Sequence, residues 1–349
     1  MGYPHSAWAC GAVAGLLLWG LPAPQLSAGD DGNELHVEGV VFAPDLATLY
    51  VLVASLTPPL ELPELRQEGG KRLHLGAEAV PRADQRTMPD GTQFVRLRLL
   101  AERSELGITV DWDPDEESAW VRQGERVLKV RRGRRTVADA VTYAGEPQVF
   151  YLPAIELSRA LGLPAPDAAD DHRVTRSAAR SRTLADGTAL VRLQDADETT
   201  SLTWEGGKST AHLMREEQQL WVRRGRKRVA LNLQEQRLRA WEGERLVLET
   251  RISSGRKGID TPKGSFRAGP LKSRMVISHK YGDAEMPWSV QVYRNVFIHG
   301  FGSVPPRAAS HGCVRVPLSG RNPARWFYEW VTIGTPIEIN DSWPANTDE

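Results

Sequence analysis

The stretch IHGFGSVPPRAASHGCVRV, residues 298–316, contains two His-Gly pairs and Cys313, one of two cysteines in the 349-residue chain. The other cysteine, Cys10, lies in an apolar run at residues 7–21 that prolines and then a small residue, Ala28, follow. This layout is typical of a secretory signal peptide. We therefore expect residues 1–28 to be removed on export, which leaves Cys313 as the single thiol of the mature chain.

Cys313 has two histidines near it in the sequence. A single thiol in an oxidising compartment has no partner for an internal disulfide, so it is either buried and inert or kept for its chemistry. It becomes a strong nucleophile when a nearby imidazole takes its proton. His311 lies two residues before Cys313, on the same face if the backbone is extended, whereas His299 lies in the preceding β-prone run. The residues alone leave both histidines as candidate bases.

Cys313 is also part of a set of four separated blocks. In chain order these are TPKGSF (261–266), MPW (286–288), IHG (298–300) and SHGCVR (310–315). Their order and spacing resemble those of the L,D-transpeptidase catalytic domain, also called the YkuD domain, over about residues 226–340. The resemblance implies that Cys313 is the nucleophile, that His299 is the base, and that the carbonyl of Gly300 orients the imidazole as a third member.

The same resemblance implies a reaction on peptidoglycan stem peptides. In the family, the thiol attacks the amide between a diamino acid and a terminal D-alanine, and the thioester then passes to an amine of a neighbouring stem. Water as the acceptor would make the chain an L,D-carboxypeptidase, and a non-catalytic cell-wall-binding protein is a further alternative. A zinc hydrolase is the rival that a cluster of histidines and Cys313 suggests, but the spacings match no familiar short ligand pair. We expect no metal and no cofactor.

Several neighbours of Cys313 are candidate site residues. Gly312 allows backbone dihedrals that aim N–H groups inward, so we assign the oxyanion hole to the amides of His311, Gly312 and Cys313 without choosing among them. Arg315 shares a face with Cys313 if the strand continues, and we expect it to bind a substrate carboxylate or carbonyl. A structural ion pair is the alternative for Arg315.

Three further residues have weaker assignments. We expect Ser310 to hold His311 in place through a local hydrogen bond, and we place it among the substrate-binding residues. Trp288 of the MPW block is predicted to wall the cleft, with core packing as the alternative. His279 has no assigned role.

The segment from residue 222 to residue 341 is predicted to be a mainly β, sandwich-like catalytic domain. VALNL, RLRAW and RLVLETRIS alternate as strands do around short turns, and VISHKYG, MPWSVQVY and VFIHGFG are further β-prone runs. One helix is predicted in PARWFYEWV before a closing strand, PIEIN. We expect this segment to bury its core without help from the rest of the chain.

Residues 33–220 are predicted to be α+β repeat modules. DGTQFVRL (90–97) returns as DGTALVRL (186–193), and TLYVLVASL (48–56) has a fainter counterpart in residues 148–164. Gly107 and Gly162 lie where helical patterns stop. The unit loosely resembles the stalk modules called copper-amine-oxidase-like N-terminal domains, although it has no His and Cys cluster suited to copper.

The balance of charged side chains limits the classes of binding partner that the sequence predicts. The chain has 44 basic and 44 acidic side chains, so no global field favours nucleic acid or a membrane surface. Two local basic runs, RVLKVRRGRRTV (126–137) and VRRGRKRV (222–229), are predicted to be solvated hairpins. An anionic cell-wall polymer is the partner that these runs suggest. After cleavage of the signal peptide, no stable membrane span is expected.

Overall fold

The computed structural model describes residues 27–28, 35–56, 59–63, 65–68, 72–76, 78–87, 92–163, 182–196, 199–205, 207 and 209–344. Residues 1–26 of the predicted signal peptide, with Cys10, lie outside this set, so the structure does not bear on that prediction. Within the described ranges, no helix combines the length and the apolar character needed to cross a membrane.

The first part of the chain is built from short strands with four-residue to eight-residue helices between them. In chain order its elements are β1 (Ser27–Ala28), β2 (Leu35–Phe42), β3 (Asp45–Leu52), α1 (Val53–Leu56), β4 (Leu65–Glu68), β5 (Arg72–Leu75), β6 (Glu78–Ala79), β7 (Gln85–Thr87), β8 (Gln93–Arg96), α2 (Leu99–Glu102), β9 (Ile108–Asp113), β10 (Ser118–Gln123), β11 (Arg126–Tyr143), β12 (Glu146–Pro153), α3 (Ala154–Leu161), β13 (Arg182–Thr183), β14 (Ala189–Arg192), β15 (Ser201–Glu205), β16 (Thr210–Arg215) and β17 (Gln218–Arg224).

These elements form two copies of one unit, which we call the first and second repeats. The DGT blocks lead into β8 and β14, which pair antiparallel with β3 and β12 respectively. Strand β11 belongs to both copies: residues 128–132 pair in parallel with β2, and residues 135–140 pair in parallel with β17. One strand therefore closes the first repeat and opens the second. The assignment of residues 33–220 as repeat modules and the resemblance to stalk modules both stay predictions.

The helix stops predicted from two glycines are also present. Gly162 adopts φ +62° directly after α3, and its N–H donates to the carbonyl of Ser158. Gly107 adopts φ +59° after a short 3₁₀ turn, Ser104–Leu106. Left-handed backbone at these positions favours glycine, because a side chain there is strained.

The prediction of hairpins is confirmed for the first basic run, whose first half pairs antiparallel with β10, and it is wrong for the second. The first run lies inside β11, a single strand with a neighbour on each side, and its arginines lie near carboxylates, as in Arg132 with Glu117 at 3.1 Å and Arg134 with Glu217 at 2.8 Å. The second run crosses from β17 into a different sheet. Strand pairing and intramolecular ion pairs engage much of this charge.

The remaining elements form two packed sheets. In chain order they are β18 (Lys227–Asn232), β19 (Arg237–Glu242), β20 (Arg245–Arg251), β21 (Gly264–Arg267), β22 (Lys272–Ser278), β23 (Ala284–Tyr293), β24 (Val296–Phe301), β25 (Val314–Pro317), α4 (Pro323–Trp330) and β26 (Pro336–Asn340). One sheet has the order β20-β19-β18-β26-β21 and the other has the order β22-β23-β24-β25. The mainly β, sandwich-like fold is confirmed, as are the predicted helix and the closing strand.

Sequence signals explain the position of α4. Asn322 caps its first turn by accepting a hydrogen bond from the Arg325 N–H at 3.0 Å, and Pro323 occupies a first-turn position that needs no N–H donor. Trp326, Phe327 and Trp330 face inward from this helix and are buried. The helix therefore closes one end of the core between the two sheets.

The second repeat contributes to that same core. Val141, Tyr143, Tyr151, Leu184 and Leu190 belong to one buried apolar cluster with residues of both C-terminal sheets and α4. The expectation that the C-terminal segment buries its core alone is therefore wrong. The predicted boundary at residues 220–222 also falls inside β17, whose pairing with β11 and β16 assigns it to the second repeat.

A buried polar network crosses this same interface. Glu242 is fully buried and accepts hydrogen bonds from the Thr142 N–H at 3.0 Å, the Thr142 hydroxyl, and Trp330 Nε1–H at 2.8 Å. Lys227 Nζ donates to the carbonyls of Thr142 at 2.8 Å and Trp330 at 2.6 Å. Burial raises the pKa of Glu242, against the opposing effect of Lys227, and burial lowers the pKa of Lys227 to about 8. These contacts tie the second repeat to the C-terminal sheets.

Candidate active site

The pairing of two neighbouring strands brings the two His-Gly blocks together. β24 and β25 run parallel, with Ile298 opposite Val314 and His299 opposite Arg315. Cys313 directly precedes β25, so its thiol and the His299 imidazole lie on adjacent strands. Both residues line a cavity of about 530 Å³. The cavity is lined by Ile259, Asp260, Val276, Ile277, Ser278, His279, Lys280, Tyr281, Ala284, Glu285, Met286, Asn295, Val296, Phe297, His299, Phe301, Ser310, His311, Gly312, Cys313 and Arg315.

The His299 imidazole is buried and has a defined tautomer. Its Nδ1 lies 2.9 Å from the carbonyl oxygen of Gly300, which can only accept, so Nδ1 carries the proton and Nε2 keeps its lone pair. Burial lowers the pKa of His299 to about 4; the Gly300 carbonyl opposes this shift and the charge of Arg315 adds to it. His299 is therefore neutral at neutral pH, with a free acceptor nitrogen.

Gly300 has a packing reason to be glycine. A Cβ atom built on it would lie 2.4 Å from the side chain of Leu318 and 3.2 Å from Cβ of Ala324 at the start of α4. A larger residue would displace the strand that carries His299. Leu318 and Ala324 thus pack against Gly300 and help to fix the backbone whose carbonyl contacts His299.

The Cys313 thiol is half-buried, with Sγ 3.7 Å from the carbonyl oxygen of Asn295. Burial raises the pKa of the Cys313 thiol, while the Phe297 N–H and the charge of Arg315 act in the opposite direction. Thiol and imidazole are therefore both neutral at rest. A neutral thiol and a neutral imidazole with a free lone pair are the states from which general base catalysis would start.

The loop before Cys313 has left-handed backbone at its glycine. Gly312 adopts φ +105°, and its N–H donates to Ser310 Oγ at 3.1 Å. The Ser310 hydroxyl in turn donates to the carbonyl of Cys313. Two corrections follow. The Gly312 amide is engaged, which leaves the amides of His311 and Cys313 for an oxyanion. Ser310 is buried and its hydroxyl holds the loop, so the predicted hydrogen bond to His311 is wrong, whereas its placement among the substrate-binding residues stays a prediction, since Ser310 lines the cavity.

The ring of His311 is held by two side chains that the sequence interpretation did not consider. Its Nε2 lies 2.8 Å from Arg256 Nη1, and it stacks on Tyr281 with 4.5 Å between ring centroids. A guanidinium only donates, so the Nε2 lone pair of His311 is occupied. Desolvation and the charges of Arg256 and Arg315 lower the pKa of His311. The geometry favours His299 over His311 as the base.

The fold and the site can now be set beside known proteins. Residues 226–339 match the model of the L,D-transpeptidase catalytic domain. This segment is an L,D-transpeptidase catalytic domain. The match contains every residue of the site described above, and it begins two residues after the end of β17.

Solved L,D-transpeptidase structures resemble parts of the chain. One from Stackebrandtia nassauensis is 25% identical with a TM-score of 0.31, and the match covers 35% of this chain and 58% of that one. One from Xylanimonas cellulosilytica DSM 15894 is 28% identical with a TM-score of 0.29, covering 34% and 61%. One from Mycobacterium smegmatis is 16% identical with a TM-score of 0.31, covering 58% and 94%. The chain thus spans about three fifths of the first two. No curated protein matches it.

Thr261 is a site residue of the L,D-transpeptidase domain that sequence reasoning missed. It is buried, its hydroxyl donates to the carbonyl of Gly312 at 2.9 Å, and it accepts the Gly255 N–H at 2.8 Å. It therefore fixes the other side of the loop that precedes Cys313. Its position in the TPKGSF block was a usable signal, but nothing in that block indicates a contact with Gly312.

Arg315 is a cation without an ion pair. Its guanidinium lies over the ring of Phe301, 4.0 Å from the centroid, and the described residues place no carboxylate within ion-pairing distance of it. Its backbone pairs with Ser253, which accepts the Arg315 N–H at 3.0 Å. Because Arg315 forms no ion pair with any described residue, the alternative of a structural ion pair is wrong. Arg315 faces the cavity of the transpeptidase domain, beside Cys313.

Trp288 and His279 have different surroundings. Trp288 packs against the core and against Tyr328, with 5.5 Å between ring centroids, and it is not among the residues that line the cavity. The prediction that Trp288 walls the cleft is wrong, and the core alternative is what the structure shows. His279 is exposed at the cavity, with Nδ1 2.6 Å from Asp283 Oδ1. Across the described residues, no group of three or more His, Cys, Asp and Glu side chains is placed to hold a metal ion.

Proposed function

We propose that the chain is an exported cysteine L,D-transpeptidase that acts on peptidoglycan stem peptides. One observation carries the proposal: a buried, neutral His299 with its Nδ1–H on the Gly300 carbonyl, on the strand beside Cys313, at one cavity. A thiol and a base with a fixed tautomer are what acyl transfer through a thioester needs. The match of residues 226–339 to the catalytic domain supports the same reaction class.

The acylation half of the reaction begins with proton transfer. Cys313 Sγ attacks the carbonyl carbon of the amide between the diamino acid and the terminal D-alanine while His299 Nε2 takes the thiol proton. The resulting oxyanion is held by the backbone N–H groups of His311 and Cys313. When it collapses, the carbon–nitrogen bond breaks and the imidazolium gives its proton to the departing D-alanine amine. A thioester on Cys313 and a neutral His299 remain.

The second half repeats these roles with a new nucleophile. An amine of a neighbouring stem attacks the thioester carbonyl, and His299 takes a proton from that amine as the bond forms. The tetrahedral intermediate then expels the Cys313 sulfur, which recovers a proton from the imidazolium. We propose an amine as the acceptor. Hydrolysis by water gives the same acyl-enzyme but a shortened stem, and the experiment below separates the two.

We further propose that residues 1–28 direct export to the periplasm or cell wall and are then removed. The apolar run at residues 7–21 and the small residue Ala28 support this proposal. In the mature chain we propose that the two repeats, up to the end of β17, act as a stalk for the catalytic domain that follows. We also propose that the repeats contact an anionic wall polymer through basic side chains other than those that lie beside carboxylates, such as Arg132 and Arg134.

The test is a two-substrate reaction with the full mature chain. A tetrapeptide stem is incubated with a second stem that carries a free amine, and the products are analysed by mass spectrometry. We expect release of D-alanine and a cross-linked dimer, neither of which forms with Cys313→Ala. Release of D-alanine with only a shortened stem would identify an L,D-carboxypeptidase. Absence of both products from the wild-type chain would overturn the proposed function.

A further inference from the structure

We infer that Arg315, which lines the cavity, and the exposed Arg256, which contacts the cavity residue His311, form a carboxylate subsite that binds the free carboxylate of the residue that leaves the acyl donor. This inference rests on the proposed function and adds the feature of the donor that is recognised. In such a donor the terminal carboxylate is attached to the α-carbon of the leaving residue, close to the scissile amide. A cation beside the thiol is therefore placed to bind it.

Backbone pairing brings the two arginines to one place. Ser253 and Arg315 form an isolated antiparallel bridge, and the Arg256 N–H donates to the carbonyl of Ser310 at 3.0 Å. The segment 253–256 thus lies alongside the loop that carries the nucleophile. The Arg256 side chain crosses to His311, whose ring lines the cavity together with Arg315.

Both guanidiniums have free hydrogen-bond donors. Arg256 contacts His311 through Nη1, so its Nε and Nη2 groups can still donate to a ligand. Arg315 lies over the ring of Phe301, so the N–H groups at the edge of its guanidinium can also donate. No carboxylate of the described chain lies within ion-pairing distance of either one. A planar guanidinium with a free edge matches the two oxygens of a carboxylate.

Three other partly or fully buried arginines pair with carboxylates. Arg245 pairs with Glu156, Arg182 with Glu146 and Arg223 with Asp139. Arg315 is half-buried and has only another cation, Arg256, near it. Burial and the charge of Arg256 lower the pKa of Arg315, while Cys313 acts in the opposite direction, so Arg256 and Arg315 are close enough for their like charges to repel. A bound carboxylate relieves that repulsion.

The acids at the cavity do not fill this role. Asp260 lines the cavity and accepts the Gly258 N–H at 3.3 Å, and Glu285 lies on the strand opposite, next to Met286. Neither forms an ion pair with the two arginines in the described chain.

Binding to the full-length Cys313→Ala chain tests the subsite without any turnover. Two tetrapeptide stems are compared by calorimetry, one with a free terminal carboxylate and one with a terminal carboxamide. A hydrogen bond to a charged group predicts that the carboxylate binds about tenfold or more tightly. Adding Arg256→Gln should remove most of that preference by weakening only the carboxylate peptide. Adding Arg251→Gln, an exposed arginine on β20 outside the cavity, should leave the preference unchanged.

Turnover of the wild-type chain gives the second readout. Arg256→Gln should raise KM for the carboxylate donor with little change in kcat, and it should leave the carboxamide donor almost unaffected. Equal affinity of the two peptides, or an equal loss for both in the Arg256 variant, would overturn the subsite. These outcomes are distinct from failure of the proposed function, which is the absence of D-alanine release from a bound donor.

Discussion

Replacing Glu242 by alanine tests how firmly the second repeat is joined to the catalytic domain. Glu242 is fully buried, and it is the acceptor for the Thr142 N–H, the Thr142 hydroxyl and the Trp330 indole N–H. The substitution leaves all three donors without a partner. It also removes a negative charge that favours the charged form of the half-buried Lys227 ammonium.

The magnitude follows from these losses. A buried donor without a partner costs about 1–3 kcal/mol, and removing one member of a buried charge pair costs about 3–5 kcal/mol. The two contributions overlap, because the same carboxylate serves the donors and Lys227, so we expect a loss of about 4 kcal/mol rather than the sum. For a cooperative unit of roughly 200 residues this lowers Tm by about 8–16 °C.

The assay is urea and thermal unfolding of the full mature chain at pH 7. Thr142→Val is the matched control, since it removes the hydroxyl donor, keeps the backbone N–H and should cost about 1 kcal/mol. A loss below about 1 kcal/mol for Glu242→Ala, equal to that of the control, would refute the account of the interface. It would show that apolar packing of Tyr143 against Trp326 joins the two parts without this network.

Three further predictions concern the site. Thr261→Val should lower kcat/KM about tenfold or more, with Tm changed by only a few degrees and activity restored by Thr261→Ser, because only the hydrogen bonds to Gly312 and its neighbour are lost. His299→Ala should suppress alkylation of Cys313 by iodoacetamide near neutral pH, whereas His311→Ala should leave alkylation largely intact; the reverse pattern would make His311 the base. The raised pKa of the thiol predicts that alkylation of the wild-type chain keeps accelerating from pH 6 to pH 9 as the thiolate fraction grows, and a plateau below pH 7 would contradict it. The turnover rate should fall only as the pH approaches the His299 pKa of about 4, because the imidazole is then protonated and can no longer accept the thiol proton.

Local patterns in the sequence predicted the strands and the helix of the C-terminal segment, and the order of the blocks carried the family resemblance. VALNL, RLRAW and PIEIN alternate, PARWFYEWV has helical spacing with an Asn-Pro start, and the IHG and SHGCVR blocks occur in order. These features depend on residues that are close together in the chain. They therefore need no knowledge of tertiary contacts.

The features that the sequence did not predict depend on distant residues. Tyr143 meets Trp326, and Thr142 meets Glu242, across about a hundred residues or more of chain. Nothing near either position indicates the partner. The sequence did not predict that β11 continues through its basic run, because such a run is typical of a solvent-exposed turn. In the structure, carboxylates lie near several of these basic side chains.

The individual hydrogen bonds at the site could not be predicted from the sequence either. Ser310 was assigned to His311, yet its hydroxyl lies between the Gly312 N–H and the Cys313 carbonyl. Which of several nearby acceptors a hydroxyl chooses depends on backbone dihedrals that the residue types leave open. Here the left-handed φ of Gly312 sets the course of the loop and so places its N–H and the Cys313 carbonyl within reach of the Ser310 hydroxyl.

The central claim is that Cys313 carries the acyl group and that His299 moves its proton. The most direct measurement is the intact mass of the full mature chain, quenched in acid shortly after mixing with a tetrapeptide stem in the absence of an acceptor amine. The account predicts a covalent adduct with the mass of the stem without its D-alanine, located on the peptide that contains Cys313 and released by hydroxylamine. The adduct should be absent from Cys313→Ala and should form far more slowly in His299→Ala. Release of D-alanine by the Cys313→Ala chain, or an adduct on any other residue, would contradict the mechanism.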